Sequence, residues 1–581
     1  MDTGYLDLHH AIASSPAGVT WPEGYQFRQE GLWHEDARLT GPFTVLGEAR
    51  DPHGHGWAIA LEWNDRDGRQ HRGFLARADL LGHSHDAFKP LVSAGLDIVS
   101  DARKLKLLKA AFSGMRCRAR VCLVKHCGWS GEVFVLAHKT IGQQANERYV
   151  FDGACDAARY AQSGSLQQWI DAVAAPAGRN SRLVFAISTA FAGPVNDLIG
   201  DEGGGVHLVG GSSLGKSTAL IAAGSVWGGG GRGGFAQSWR ATGNGLESVA
   251  KAHSGTCLVL DELGELDARE AGSTAYLLVN GQGKARAARD AELKARAEWR
   301  IMLLSAGEVG LADKIAESGK RAKAGQLVRL IDVPADAGQG LGLFEHTHGE
   351  SPATFAVAIK TAALKYYGVA GPAFVETLAD DPRCAAEVIR RMIREIKGRM
   401  LAGLPDVDGQ VERLASRFAL IAAAGTLAHE RLNLPWGEGE AEQAAHACFR
   451  ACLLTRGGEG PGELITALQA IQEVVERYSE SRFRDLGKEY GVDFGSHQRP
   501  IQDLLGYRQM RAGEILWCFT ATGWRETVGG IGQPGTIARL LAECDMLAFG
   551  NDRAHRLSVK VDGRSVGTYA VRQRALEGDV S

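Results

Sequence analysis

The chain has 581 residues, of which 45 % are apolar and 23 % are charged, values that are ordinary for a globular protein. Acidic residues outnumber basic residues by 68 to 65. This balance excludes a polybasic coat for nucleic acid, so any contact with nucleic acid must come from a local patch. Glycine is over-represented, with 75 residues, against about 7 % in an average protein.

The ten cysteines include no Cys-x-x-Cys pair, which argues against a zinc ribbon or a redox motif. The spacing of Cys117, Cys122 and Cys127 is not typical of metal ligands, and we expect buried thiols there. The N-terminus lacks the pattern of a signal peptide, and the longest apolar run, residues 418–428, is shorter than the ~20 residues that span a bilayer. We therefore expect a soluble, cytoplasmic protein without a membrane partner.

Residues 1–170 are predicted to form an N-terminal α/β module. Short runs of alternating or apolar residues are separated by Asp, Gly and Pro, as in strands joined by turns. The runs are residues 43–49, 56–63, 71–77, 122–125 and 132–137.

Residues 171–345 show a different pattern, in which continuous apolar strands alternate with helical stretches. Such strands are typical of a parallel sheet that is covered on both faces by helices. The predicted strands are residues 205–209, 257–260, 300–304 and 327–333, and a helix is predicted to begin at Thr218.

The rest of the chain is predicted to form two further regions. Residues 346–480 are mostly helical, with apolar residues at helical spacing over 355–367 and 411–428. Residues 481–581 contain a predicted helix over 537–547 and two strands around the turn at Asp562 and Gly563. A helix followed by a tight hairpin indicates a winged-helix-like domain.

The strongest motif follows the first strand of the central region and matches G-x-x-x-x-G-K-[ST]. In such a loop the backbone N–H groups surround the phosphates of ATP, the lysine reaches the β and γ phosphates, and the Ser or Thr hydroxyl binds magnesium. A helix N-terminus adds a favourable dipole. The predicted nucleotide-binding residues are Gly210, Gly211, Ser212, Ser213, Leu214, Gly215, Lys216, Ser217 and Thr218, with Ser217 as a magnesium ligand.

A second motif begins at Cys257, where an apolar strand runs into Asp261 and Glu262. Asp261 is predicted to bind magnesium at the carboxyl end of the strand, and Glu262 is predicted to be the general base for the attacking water. A glutamate in the second position favours hydrolysis over transfer to a small molecule, and this disfavours a P-loop kinase.

Two further positions are predicted from the motifs of AAA+ ATPases. Ser305 ends a third apolar strand, where a sensor 1 residue helps to place the water. Arg329 is a candidate arginine finger that acts on the γ-phosphate of a neighbouring subunit. The alternatives for Arg329 are a pairing with Asp332 or with the sheet edge, and Lys320, Arg321 and Lys323 are competing candidates for the finger. A second arginine, sensor 2, is left open between Arg413 and Arg417.

A basic segment lies between the second and third strands. Five basic residues fall within residues 284–296, where the acidic residues are Asp290 and Glu292. A hairpin inserted there would present Lys284, Arg286 and Arg289 to DNA phosphates without reading the sequence. The alternative is a solvated charged surface.

Residues 40–335 resemble domain-of-unknown-function family 927, found in phage, integrative-element and bacterial proteins. The shared features are Gly128-Trp129, Ser225-Val-Trp-Gly228, Ser238-Trp239, Leu260-Asp-Glu262, Asn280-Gly-Gln-Gly-Lys284, Trp299-Arg300, Ser305-Ala-Gly-Glu308 and Gly325-Gln-Leu-Val-Arg329. This family is similar to AAA+ helicases of the minichromosome-maintenance type. The resemblance implies a hexameric ring, ATP-driven movement on single-stranded or forked DNA, a pre-sensor hairpin in the pore and a C-terminal winged helix.

The sequence therefore predicts an α/β fold. Its predicted parts are the N-terminal module, a P-loop AAA+ core over 171–345, a helical lid over 346–480 and the winged-helix-like domain. The predicted function is an ATP-hydrolysing motor, a DNA helicase or translocase of a mobile element or prophage. The alternative is a nucleotide-operated oligomeric switch or scaffold, regulatory or antiphage, without strand separation.

Overall fold

A computed structural model describes residues 18–82, 84–144, 147–153, 157–231, 234–283, 297–402, 404, 407–455, 462–486, 501, 503–529, 531, 533–550 and 555–576. The fold is mixed α/β, with parallel strands and helices, as the sequence predicts. Over these residues, no helix combines the length and the apolar character that crossing a bilayer requires.

The N-terminal region contains a five-stranded sheet in the order β13-β9-β5-β6-β7, with α2 packed against it. Strands β5, β6 and β7 are antiparallel, while β9 and β13 are added in parallel. The elements are β1 (Val19–Thr20), β2 (Tyr25–Arg28), β3 (Gly31–His34), β4 (Ala37–Arg38), β5 (Thr44–Arg50), β6 (Ala58–Asn64), β7 (Gln70–Ala76), α1 (Lys89–Ser93), α2 (Ala102–Gly114), β8 (Arg116–Cys117), β9 (Arg120–Val124), β10 (Gly128–Ser130), β11 (Val133–Val135), β12 (Thr140–Ile141) and β13 (Arg148–Phe151).

Three cysteines of this region, Cys117, Cys122 and Cys127, lie outside any disulfide. Cys117, Cys122 and Cys127 are buried, which confirms the prediction. Among the residues that the structure describes, no cluster of three or more His, Cys, Asp or Glu side chains is arranged to bind a metal.

The central region is a five-stranded sheet in the order β15-β16-β17-β14-β18, in which every neighbouring pair is parallel. Its elements are α3 (Leu166–Trp169), α4 (Ala175–Ala177), α5 (Ser181–Ile199), β14 (Gly204–Val209), α6 (Lys216–Gly224), β15 (Gln237–Ser238), α7 (Gly243–Ala252), β16 (Cys257–Asp261), α8 (Ala268–Asn280), β17 (Met302–Gly307), α9 (Leu311–Ala316), α10 (Ala324–Leu327) and β18 (Leu330–Pro334).

Alternating side chains of this sheet enter two different cores. In β16, Cys257 and Val259 pack with α5 and α6, while Leu258 and Leu260 pack with α7 and α8. Both faces are therefore covered by helices, and the carboxyl ends of all five strands lie at one edge. This edge is where ligands of open parallel sheets bind.

The helical region packs on the same core as α5. Phe185 of α5 stacks on Phe418 with 5.3 Å between the ring centroids. Its helices are α11 (Pro352–Lys365), α12 (Ala370–Ala379), α13 (Pro382–Leu401), α14 (Gly409–Leu432) and α15 (Glu440–Thr455).

The C-terminal region has a separate core, formed by residues between Leu464 and Leu576. This core includes α16, so the compact unit begins before the boundary at 481 that the sequence suggested. The elements are α16 (Gly462–Tyr478), β19 (Phe483–Asp485), β20 (Gly506–Arg511), β21 (Glu514–Phe519), α17 (Ala521–Val528), α18 (Pro534–Glu543), β22 (Leu547–Ala548), β23 (Leu557–Val561), β24 (Arg564–Arg572) and α19 (Gln573–Leu576).

Two sequence predictions in this region had different outcomes. The hairpin is confirmed: Val561 pairs with Arg564, and Asp562 and Gly563 both have positive φ, as a two-residue type I′ turn requires. The helix predicted over 537–547 is instead α18, which ends at Glu543. Asp545 adopts a left-handed conformation, and the following residues join the sheet as β22.

The N-terminal module contacts the central region through Gly128 and Trp129. The backbone N–H of Trp129 donates to Asp197 Oδ2 at 2.7 Å, and its indole N–H donates to the carbonyl of Pro194 at 3.0 Å. Gly128 has a φ of +116°, and a Cβ there would lie 2.4 Å from Asp197 Oδ2. Only glycine fits both the backbone conformation and the close approach.

We expect Gly128→Ala to lower the free energy of unfolding by about 2–4 kcal/mol, because it combines left-handed strain with overpacking against a buried carboxylate. Gly131→Ala is the matched control. Gly131 also has positive φ, but its nearest neighbour is the Tyr149 hydroxyl at 3.9 Å, so we expect only the backbone cost of about 1 kcal/mol. Urea unfolding followed by circular dichroism measures both, and equal losses would contradict the close approach.

Candidate nucleotide-hydrolysis site

The P-loop joins β14 to α6 at the carboxyl edge of the central sheet. Ser213 and Gly215 have positive φ, +64° and +98°, and these left-handed residues turn the chain so that α6 begins at Lys216. The Lys216 ammonium donates to the carbonyls of Gly210 at 2.7 Å and Gly211 at 2.5 Å. The lysine side chain therefore lies along the inside of the loop, in the position from which it reaches a bound phosphate.

Residues 342–344 pack against the P-loop. The backbone N–H of Leu343 donates to the carbonyl of Leu214 at 2.8 Å. A Cβ at Gly215 would meet the ring of Phe344 at 3.2 Å, in addition to its unfavourable φ. Glycine at 215 is thus required by the backbone conformation and by the packing.

Asp261 ends β16 at the same edge, and Glu262 follows it in a left-handed conformation with φ +63° and ψ +68°. The backbone N–H of Glu262 donates to Asp261 Oδ1 at 3.0 Å. A non-glycine residue in this conformation is strained by about 1 kcal/mol or more. Such strain concentrates at functional sites.

Four charged groups act on Glu262. Burial raises its pKa above the usual range, and the carboxylates of Asp261, Glu308 and Glu265 raise it further, while the ammonium of Lys216 lowers it. Lys216 and Glu262 are therefore close enough to interact, although they come from strands that are separated by β17. The arrangement places one cation and several carboxylates at the same edge of the sheet, and we refer to the space between Lys216 and Glu262 as the crevice.

The donor set of this crevice fits magnesium. Ser217 lies in the first turn of α6 and supplies a hydroxyl, and Asp261 lies at the end of β16 and supplies a carboxylate. Magnesium in nucleotide sites is bound by one or two protein oxygens together with phosphates and water. Ser217 and Asp261 would bind the ion, which would supply positive charge against the phosphates.

Ser305 does not face this crevice. It has no exposed surface, and its hydroxyl accepts a hydrogen bond from Trp239 Nε1 at 2.8 Å and donates to His207 Nδ1 at 2.9 Å. His207 Nε2 lies 3.0 Å from the carbonyl of Val309, which only accepts, so this nitrogen bears the proton. Ser305 is thus a buried residue two positions before the strand end at Gly307, and its role as a sensor stays a prediction.

We refer to Trp239, Ser305 and His207 as the buried relay. Burial lowers the pKa of His207 to about 4, so the imidazole is neutral and the direction of each hydrogen bond is determined. The backbone N–H of Trp239 also donates to the carbonyl of Asp261 at 3.1 Å. The relay thus connects the strands that precede the P-loop and the acidic pair.

We expect Ser305→Ala to lower the free energy of unfolding by about 2–4 kcal/mol, because it leaves an indole N–H and an imidazole nitrogen buried without partners. Ser188→Ala is the matched control, since Ser188 is equally buried and its hydroxyl has no hydrogen-bond partner in the described structure. We expect a change below about 0.5 kcal/mol there. A sensor role would instead predict loss of hydrolysis at unchanged stability.

The two candidate arginines lie at the opposite edge of the sheet. Arg329 immediately precedes β18, which begins at Leu330 and not at 327. Its guanidinium donates to the carbonyl of Gly325 at 3.0 Å and lies 4.4 Å from the ring centroid of Tyr276. It therefore forms neither of the pairings considered from the sequence, and it lies on a face away from the P-loop of its own chain.

Arg417 is also placed away from the crevice. It donates to the carbonyls of Glu202 at 2.7 Å and Gly203 at 2.6 Å, at the start of β14. A Cβ at Gly204 would collide with the guanidinium. The side chain thus links α14 to the sheet. Arg413, the other sensor 2 candidate, is exposed on α14, and the sensor 2 assignment stays open between the two.

The predicted DNA-binding residues Lys284, Arg286 and Arg289 lie outside the described residues. The segments on either side are described and run antiparallel, with a bridge between Gln282 and Glu298. The N–H of Gly283 donates to the carbonyl of Ala297 at 2.8 Å. This pairing is the base that a hairpin over 284–296 requires.

Residues 15–298 match the family model described as Domain of unknown function (DUF927), which confirms the resemblance seen in the sequence. A comparison with curated proteins finds no match. Among solved structures, one described as "SCCmec type IV Cch - active helicase" is similar with a TM-score of 0.71 and 17 % sequence identity. The similarity covers 96 % of this chain and 98 % of that one, so the two share a fold over almost their whole lengths.

Proposed function

We propose that this chain, which contains a DUF927 domain and has the fold of that helicase, is an ATP-hydrolysing AAA+ motor that moves on DNA. The observation that supports the proposal most directly is that Lys216, at the start of α6, and Asp261 and Glu262, at the end of β16, lie at the same carboxyl edge of one parallel sheet. A P-loop and an acidic pair at one edge of a parallel sheet are the parts that triphosphate hydrolysis needs.

Each residue of the crevice has a distinct task in this proposal. Lys216 and the loop N–H groups bind and orient the phosphates of ATP, and Ser217 and Asp261 bind magnesium. Glu262 accepts a proton from the water that attacks the γ-phosphorus, and ADP and phosphate leave. Its raised pKa makes it a stronger base than an ordinary carboxylate.

The proposed contact with DNA comes from local patches, since the net charge is −3. Lys284, Arg286 and Arg289 would contact single-stranded or forked DNA through phosphates. The C-terminal unit, with α17 and α18 followed by the β23–β24 hairpin, would act as a winged helix. A location in the cytoplasm is part of this proposal.

The proposed assembly is a hexameric ring. In such a ring, Arg329 would reach the γ-phosphate bound by a neighbouring subunit, because it lies on a face away from its own P-loop. This arrangement requires a second copy to complete each site.

The alternative is a nucleotide-operated switch or scaffold, which the near-neutral net charge of the chain favours. The two functions differ in their response to DNA. We expect the ATPase rate to rise with single-stranded DNA and a forked duplex to be separated in the presence of ATP. ATP hydrolysis that ignores DNA, together with no strand displacement, would support the switch, and absence of hydrolysis would overturn the motor.

A further inference from the structure

A cavity of about 580 Å³ lies at the edge of the central sheet that is opposite to the P-loop. Val279, near the end of α8, approaches Gly203, which directly precedes β14; this places the end of α8 at the amino-terminal edge. The cavity lies between α8, the base of the predicted hairpin and the start of α10. It is lined by Ser273, Tyr276, Leu277, Asn280, Gln282, Lys323, Gly325 and Gln326.

An aromatic ring forms one wall of this cavity. Tyr276 is 40 % exposed, which is unusual for a large side chain of this protein. The guanidinium of Arg329 lies 4.4 Å from the ring centroid and is fixed by its hydrogen bond to Gly325. One face of the ring is thus covered by a cation, and the exposed remainder is available for stacking by a second planar group.

The polar groups around the ring are suited to a nucleotide. Over the described residues, the side-chain amides of Asn280 and Gln282 form no hydrogen bond. Carboxamides pair with the edges of nucleobases. Lys323 and Arg329 are cationic, and no Asp or Glu is among the described residues that line the cavity. The cavity therefore combines a stacking surface, groups that recognise base edges, and charge that attracts phosphate.

We infer that this cavity binds a nucleotide, with its base stacked on Tyr276 and its phosphate near Lys323. Two sources supply this chemistry: a nucleotide within single-stranded DNA, and a free nucleotide. The cavity adjoins Gln282, which directly precedes the basic residues of 284–296 in the sequence, and this favours DNA. Only this choice of source rests on the proposed function.

The test is equilibrium binding of a fluorescent oligothymidylate, without ATP, to the full chain. Loss of one base–aromatic stack corresponds to about 1–3 kcal/mol, so we expect Tyr276→Ala to weaken binding about tenfold, and Tyr276→Phe to bind as the wild type does. Trp57→Ala is the matched control, since Trp57 is 41 % exposed and has Arg120 5.8 Å from its ring centroid. We expect no change there.

A second measurement identifies the contact itself. An oligonucleotide that contains 5-iodouracil should crosslink on irradiation to a peptide that includes Tyr276, as mass spectrometry would show. The free-nucleotide source is tested with a fluorescent ADP and the Lys216→Ala variant, in which the P-loop is impaired. If the Lys216→Ala variant binds the fluorescent ADP and the Lys216→Ala, Tyr276→Ala double variant does not, the ligand of the cavity is a free nucleotide.

The inference is overturned if Tyr276→Ala changes neither oligonucleotide nor ADP binding, or if the crosslink maps only elsewhere. A weakening that Tyr276→Phe shares would also contradict stacking, because phenylalanine keeps the ring. These results are separate from the proposed hydrolysis, since both measurements are made without turnover. If the wild-type chain binds the oligonucleotide at Tyr276 but does not hydrolyse ATP, only the proposed motor function is overturned.

Discussion

Replacing Lys216 by alanine is expected to reduce ATP hydrolysis by more than about hundredfold. The side chain is 8 % exposed and runs along the inside of the P-loop, so its ammonium is the group placed to contact the β and γ phosphates. Removing it withdraws a charge that stabilises both the bound triphosphate and the transition state. Phosphate release, measured with an enzyme-coupled assay, gives the rate.

Lys251→Ala is the control for this substitution. Lys251 lies in the last turn of α7 in the same domain, away from the loop, and we expect its replacement to leave hydrolysis within about twofold of the wild type. Thermal unfolding of both variants checks that neither loses its fold. Near-normal hydrolysis by Lys216→Ala, in a preparation free of contaminating ATPases, would end the assignment of the P-loop as the active site.

Lys216, Asp261 and Glu262, which the structure places at one edge of the sheet, are the residues that short sequence motifs predicted. The P-loop and the acidic pair each follow a buried strand directly, so local sequence was enough to place Lys216 at the start of the helix after β14 and Asp261 at the end of β16. Their meeting at one edge follows from the parallel sheet. The predicted strand bounds differ from the observed ones by a few residues. For example, β18 begins at Leu330 and not at 327, because the first and last hydrogen bonds of a strand depend on the neighbouring strand.

The buried relay was not predictable in the same way. His207 and Ser305 are 98 residues apart in the chain and become neighbours only because β14 lies beside β17. A polar residue at a strand end therefore suggested a sensor, while its partners remained unknown. A histidine within an apolar strand and the Ser238-Trp239 pair were the available signals. The contacts of Arg417 were not predictable for the same reason, since they depend on how α14 crosses the sheet.

Replacing Glu262 by glutamine is expected to separate ATP binding from hydrolysis. The amide cannot accept the proton of the attacking water, and loss of a general base costs about 10²–10⁴ in rate. Removing one negative charge from a crevice shared with Asp261 and Glu308 also lessens repulsion of the phosphates. We therefore expect a fluorescent ATP analogue to bind at least as tightly as it does to the wild type.

Glu265→Gln is the matched control, because it makes the same change of charge three residues away. Glu265 accepts a hydrogen bond from the Ser238 hydroxyl at 2.8 Å. Its charge makes the smallest contribution to the raised pKa of Glu262 and it has no proposed part in the proton transfer, so hydrolysis should continue in that variant. Equal loss of binding and hydrolysis in Glu262→Gln would contradict its assignment as the base. Glutamine keeps the left-handed backbone of Glu262 under the same strain as glutamate, and this separates the chemical effect from a conformational one.

The Glu262→Gln variant also provides the sharpest test of the proposed ring. A chain that binds ATP without hydrolysing it should remain in its ATP-bound assembly on a forked DNA long enough for negative-stain imaging. Because Arg329 lies on a face away from its own P-loop, a functional finger requires a neighbouring subunit to bring the two together. A six-fold ring threaded by one DNA strand is the expected image, and a monomer with ATP and DNA bound would exclude an arginine finger at this position.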